Sequence, residues 1–153
     1  SWVEKAEELK EYISNYFFRL FTSTAGQDND IILQSVQPRV TDQMNELLCV
    51  EYTEEEVKAA LNNIGDLKAA GPDGMPAIFF KRFWSTVGEQ VTKEVLKVLR
   101  GGEMPKEWNN TMIALIPKTA RPERLKDLRP ISLCNVVYKL ISKVITRRLK
   151  HFT

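Results

Sequence analysis

Lys118 and Arg129 are the pair whose types and spacing most invite chemistry. Lys118 closes one short apolar run and Arg129 opens the next, across a polar connection. If the two runs pair as a hairpin, both cations arrive at one end of it. A lysine point charge beside an arginine fork suits a triphosphate. Two solvated strand-end charges would show the same spacing, and on spacing alone that is the favoured reading. The turn Gly71-Pro72-Asp73-Gly74 precedes an apolar helical pattern. A glycine turn in that place can hold a phosphate at a helix N-terminus. It is no Walker loop, because no Gly-Lys-Ser/Thr follows, and an ordinary turn is the favoured reading.

A third feature is a run of cations. From Lys118 to Lys150 the chain holds 10 basic residues against Glu123 and Asp127. With Lys81, Arg82, Lys93, Lys97 and Arg100 they fit a nucleic-acid backbone. A membrane-surface helix or an acidic protein partner would fit too. The fourth feature is a shortage of carboxylates. Two-metal phosphoryl transfer needs carboxylates close together, and none follows Asp127. The acidic residues of the first half are expected to be solvated.

Charge divides the 153 residues unevenly. The net charge is +2, yet residues 1–76 sum to −8 and residues 77–153 to +10. Such a division points to an anionic partner for the second half. With 43% hydrophobic residues, the chain can bury a core. No apolar run is long enough to span a membrane, and the first residues lack a signal-peptide pattern. Cys49 and Cys134 read as two reduced thiols of an intracellular protein. Nothing marks nucleus or cytoplasm. The single His151, near the C-terminal end of these residues, argues against a two-imidazole site or a Ser-His-Asp triad within them.

The elements that must position these groups are mostly helical. Residues 2–24 carry Val3, Ala6, Leu9, Ile13, Tyr16, Phe17, Leu20 and Phe21 at helical spacing. Residues 25–39 read as a loop. Thr41 or Asp42 is expected to cap a short helix. Thr53 with Glu56 is a capping box for a helix that buries Val57, Ala60, Leu61 and Ile64. Pro76 suits the start of a helix through Ile78, Phe79, Phe83 and Trp84. Another helix follows with Val87, Val91, Val95, Val98 and Leu99 on one stripe, stopping at Gly101-Gly102. Met112–Ile116 reads as a buried strand and Ile131–Cys134 as a second. Asn135 is expected to cap a last helix, burying Val137, Leu140, Ile141, Val144, Ile145 and Leu149. Lys139, Lys143, Arg147, Arg148 and Lys150 share its remaining surface.

Taken in order, these pieces resemble a known family. Ile113-Ala114-Leu115-Ile116-Pro117-Lys118, a polar spacer, then Arg129-Pro130-Ile131-Ser132-Leu133-Cys134-Asn135 are similar to the opening of the reverse transcriptase domain of LINE-type, non-LTR retrotransposons of the plant kind. Gly71-Pro72-Asp73-Gly74 with Phe79-Phe80-Lys81-Arg82-Phe83-Trp84 fits the segment before it. Gly102–Asn109, Tyr138–Lys143 and Tyr16–Phe21 fit as well. Ala70 departs from the family, whose members often carry Pro before the glycine.

The resemblance implies part of a right-hand polymerase of the α+β class. Residues 1–64 would be a helical N-terminal extension and residues 65–153 the fingers, a hairpin followed by a helix. Lys118 and Arg129 would contact the incoming deoxynucleotide triphosphate. Gly71, Pro72, Asp73 and Gly74 would lie near the RNA template, with Lys81, Arg82, Lys139, Lys143 and Arg147 holding nucleic acid. The family's catalytic aspartates lie downstream of these motifs. The residues here therefore include no expected catalytic or metal-binding group, and alone they are expected to be inactive. Mg²⁺, a DNA primer and a palm domain are expected of the full-length enzyme, and no membrane. The alternatives are a non-catalytic nucleic-acid-binding remnant and a charge-driven helical interaction domain.

Overall fold

The structure, a computed structural model, describes residues 5–23, 34, 37 and 39–152. The loop expected over residues 25–39 therefore lies almost wholly outside the described residues. The chain divides into two compact units, Ser1–Arg39 with Ile116–Arg129, and Val40–Leu115 with Pro130–Thr153. The fold is mostly helical, with a two-stranded antiparallel hairpin and a C-terminal helix.

In the first unit, α1 spans Ala6–Phe21. Glu7 and Glu8 in its first turn and Arg19 in its last complement the helix dipole. The expected apolar stripe is covered in part only. Phe17 is buried, against the edge of Tyr16 at 5.1 Å and stacked with Phe21 at 6.0 Å. Leu9, Leu20 and Phe21 are exposed. Helical periodicity specifies a face but not what covers it.

The second unit holds the core. Thr41 caps α2 (Asp42–Cys49) by accepting the Met44 N–H at 3.2 Å. The capping box of α3 (Glu54–Asn62) is complete. Thr53 Oγ1 accepts the Glu56 N–H at 3.3 Å, and Glu56 Oε2 accepts the Thr53 N–H at 2.9 Å. Val57, Ala60, Leu61 and Ile64 are all buried, as expected. After Pro76 come α4 (Ala77–Arg82) and α5 (Trp84–Leu99), separated at Phe83. Phe83 is half exposed; Ala77 and Phe80 face inward instead. On α5 the buried centre is Gly88, Thr92, Val95 and Leu96, with Val87, Val91, Val98 and Leu99 flanking it. Gly101 (φ +95°) and Gly102 end this helix, donating to the Val98 and Lys97 carbonyls at 3.0 and 2.9 Å in a Schellman arrangement. A short α6 (Lys106–Asn109), which no spacing announced, follows Pro105.

The strands β1 (Thr111–Pro117) and β2 (Leu128–Cys134) form the hairpin. It is not the buried pair its composition suggested: Met112, Ile113, Ile116 and Ile131 are all exposed. The last helix, α7 (Val136–Leu149), buries Val136, Val137, Leu140, Ile141 and Val144, whereas Ile145 and Leu149 are exposed. The helices α3, α5 and α7 pack on one another, with α4 against α3 and α5. Leu61, Leu140, Val57, Val95, Val136 and Val144 are the largest side chains they bury fully.

Candidate nucleic-acid interface

The sequence-derived site residues fall into both units. Lys118 and Arg129 belong to the first, and their relation follows from the hairpin register. The Lys118 N–H donates to the Asp127 carbonyl at 2.7 Å. With two strands of equal length, this sets Pro117 opposite Leu128 and Thr111 opposite Cys134. Ile116 is then opposite Arg129. Alternation of side chains puts Lys118 and Arg129 on one face of the hairpin as diagonal neighbours, about 7–8 Å apart at Cα. Both are exposed. Lys118 Nζ donates to the Lys126 carbonyl at 2.7 Å, which uses one of its three donors. The Arg129 guanidinium has no partner among the described residues. The connection is itself ordered by Asp127, whose carboxylate accepts the Glu123 and Arg124 N–H groups at 3.3 and 3.0 Å. The arrangement offers two cations from a short, braced loop, which suits a polyanionic phosphate group.

The remaining candidates lie in the second unit. Gly71–Gly74 is the expected turn, closed by the Gly74 N–H on the Gly71 carbonyl at 3.0 Å, with Gly74 at φ +71°. The Asp73 carboxylate accepts the Met75 N–H at 3.0 Å. Pro72, Asp73 and Gly74 are exposed, whereas Gly71 is buried.

Several cations expected to be free are engaged within the chain. Lys81 donates to the Ile64 and Asn62 carbonyls at 2.7 and 3.3 Å and pairs with Asp66 at 2.5 Å. It thereby closes the C-terminal end of α3, where unpaired carbonyls favour a cation. Lys139 donates to the Ala69 carbonyl at 2.9 Å, and Arg147 to the Ala59 carbonyl at 3.4 Å. Arg82 is exposed and Lys143 half-buried, and neither has a partner among the described residues.

Two residues the sequence left in minor roles are central here. Asn135 begins α7 but makes no side-chain cap. Its Oδ1 accepts the Asp73 N–H at 3.2 Å and its Nδ2 donates to the Glu107 carbonyl at 2.9 Å. Arg148, placed by periodicity on the solvated face, is instead largely buried. It grips Glu56 with two bonds of 2.7 and 2.8 Å. It also donates to the carbonyls of Leu48, Val50 and Glu51, and lies 3.8 Å over the Tyr52 ring. The Arg148 hydrogen bonds hold the Glu56 carboxyl below the ordinary glutamate range, and Glu56 in turn raises Arg148. Glu56 and Asp66 are thus paired, not merely solvated as the sequence suggested. No sequence signal could have paired these groups, because the partners are far apart along the chain.

Among the described residues, no group of three His, Cys, Asp or Glu side chains is placed to hold a metal ion. Nor is any described helix long and apolar enough to cross a membrane. Cys49 and Cys134 are free thiols.

No protein-family model matches the chain. It is 28% identical over 149 residues, 97% of the chain, to a Xenopus laevis protein named Transposon TX1 uncharacterized 149 kDa protein. The chain is similar to a segment of a transposon protein. It spans only 11% of that relative's length.

Proposed function

We propose that the chain is the fingers segment, with its helical N-terminal extension, of an RNA-directed DNA polymerase from a non-LTR retrotransposon. It binds template and incoming nucleotide and performs no chemistry without a palm. The observation that carries this reading is the likeness to a transposon protein along nearly the whole chain. The motif cations Lys118 and Arg129, on one face of the hairpin, support it. In this reading Lys118 and Arg129 hold the triphosphate, while Arg82 and Lys143 contact the nucleic-acid backbone beside the Gly71–Gly74 turn. Mg²⁺ and the catalytic carboxylates belong to the palm of the whole enzyme.

The test is primer extension with Mg²⁺ on a homopolymer template, together with nucleotide and RNA binding by the 153-residue chain. The chain alone binds RNA with an affinity that falls as salt rises, and extends no primer. Joint replacement of Lys118 and Arg129 by Ala lowers affinity for a deoxynucleotide triphosphate about tenfold or more, the scale of two charge-assisted contacts. Extension by the chain alone overturns the assignment. So does RNA binding that is absent even at low salt.

A charge-driven interaction domain is the second reading, favoured by one observation. The pairs Glu56–Arg148, Asp66–Lys81 and Glu51–Arg100 each join the acidic first half to the basic second half. These pairs are intramolecular, and they leave Arg82, Arg129 and Lys143 available to an external anion.

A further inference from the structure

The Gly71–Gly74 turn is held from the first turn of α7 at two points. Asn135, only 5% exposed, accepts the Asp73 N–H and donates to Glu107 of α6. One helical turn later, Lys139 donates to Ala69, just before the turn. Between them, Gly71 lies directly on the β2–α7 junction. A Cβ there would stand 2.3 Å from Asn135 Oδ1, 2.4 Å from the Asn135 nitrogen and 2.5 Å from the Cys134 carbonyl carbon. No side chain fits in that contact.

The arrangement has a cost that local structure does not explain. An asparagine at a helix start ordinarily accepts an N–H of its own first turn, which stabilises that helix. Asn135 forgoes this and gives both ends of its amide to backbone groups of two other segments. Its bonds stabilise the placement of the turn, not the helix it begins. The outward side of the turn, from Pro72 to Met75, is left exposed.

We infer that Asn135 and Lys139 are positioning residues that present the Gly71–Gly74 turn to a nucleic-acid strand. Lys139 acts through the Ala69 carbonyl and not on a phosphate. The inference rests on the nucleic-acid reading above.

The salt dependence of binding separates a phosphate contact from a positioning group. Each phosphate neutralised on a single strand contributes about 0.7 to the slope of log affinity against log salt. A positioning residue contributes affinity without slope. The experiment is fluorescence anisotropy of a labelled single-stranded RNA across a salt series. It compares the 153-residue chain with N135A, G71A, K139M and K143M, each checked for folding by far-UV circular dichroism.

N135A and G71A lower affinity about tenfold at every salt concentration, the scale of one lost buried hydrogen-bonding arrangement. K139M shifts the line downward with its slope unchanged. K143M, which removes a lysine with no partner among the described residues, makes the line shallower by about 0.7. A shallower line for K139M overturns the inference, as does unchanged affinity in folded N135A or in K139M. If N135A and G71A do not fold, K139M decides, because Ala69 is exposed and its carbonyl can hydrate. An unmodified chain that binds no RNA overturns the nucleic-acid reading itself, a failure distinct from the other two.

Discussion

Arg148 commits its guanidinium to Glu56 and to three backbone carbonyls, so its value lies in joining α7 to the segment between α2 and α3. Its side chain is 12% exposed and that of Glu56 30%. Removing one member leaves the other poorly solvated. R148M is therefore expected to lower stability by about 1.5–3 kcal/mol, the range for charged hydrogen bonds, read as a shift of the urea midpoint at constant slope. The pH dependence has a defined sign. The Glu56 carboxyl is depressed in the fold, so the unfolded chain takes up its proton first as pH falls. The contribution is full above the unfolded value of about 4.3 and is lost as pH drops through the lower folded value. E56Q should be less stable at neutral pH, and its stability should fall less steeply than that of the unmodified chain below about pH 4.3. Parallel curves would contradict this.

The helix α5 shows how one residue orients an element. Gly88 was invisible as a core position because it has no side chain, yet it is buried where the Trp84 indole lies across the helix. A Cβ at Gly88 would stand 2.7–2.9 Å from ring atoms of Trp84. Alanine normally favours a helix interior over glycine by about 1 kcal/mol. Here the rigid indole must move, and overpacking of this kind typically costs about 1–3 kcal/mol. G88A is expected to destabilise the chain and to shift its tryptophan emission. A gain in stability would mean that the indole reorients freely. The hairpin is the opposite case, an element defined by backbone pairing with its apolar side chains still exposed. Its bracing comes from Asp127 and from the Lys118 ammonium across the connection.

At the scale of the molecule, the second unit depends on one core shared by α3, α5 and α7. Leu140 has no exposed surface and belongs to that core. L140A removes that volume and is expected to cost about 3–5 kcal/mol, as large cavities in packed cores do. Far-UV circular dichroism and tryptophan fluorescence should report one coincident, earlier transition, since Trp84 and Trp108 pack on the same core. Transitions that separate would show that the helices unfold independently.

The sequence by itself determined what depends on neighbours in the chain. The order of helices and strands apart from α6, the Thr53–Glu56 capping box, the Gly71–Gly74 turn and the glycine stop after α5 all rest on interactions spanning a few residues. So does the arrival of Lys118 and Arg129 at one end of the hairpin, once a hairpin is assumed. The tertiary structure alone decided which cations remain available. Lys81, Lys139, Arg147 and Arg148 look alike on a helical wheel. Each nevertheless finds carbonyls on a distant segment, and Arg148 reaches a carboxylate 92 residues away. Asn135 had the right type and place for a cap, but its amide went to two backbone groups brought beside it by folding. The physical reason is the same throughout. Periodicity and capping are set by local geometry, whereas burial, pairing and exposure depend on surfaces that meet only when the chain has closed on itself.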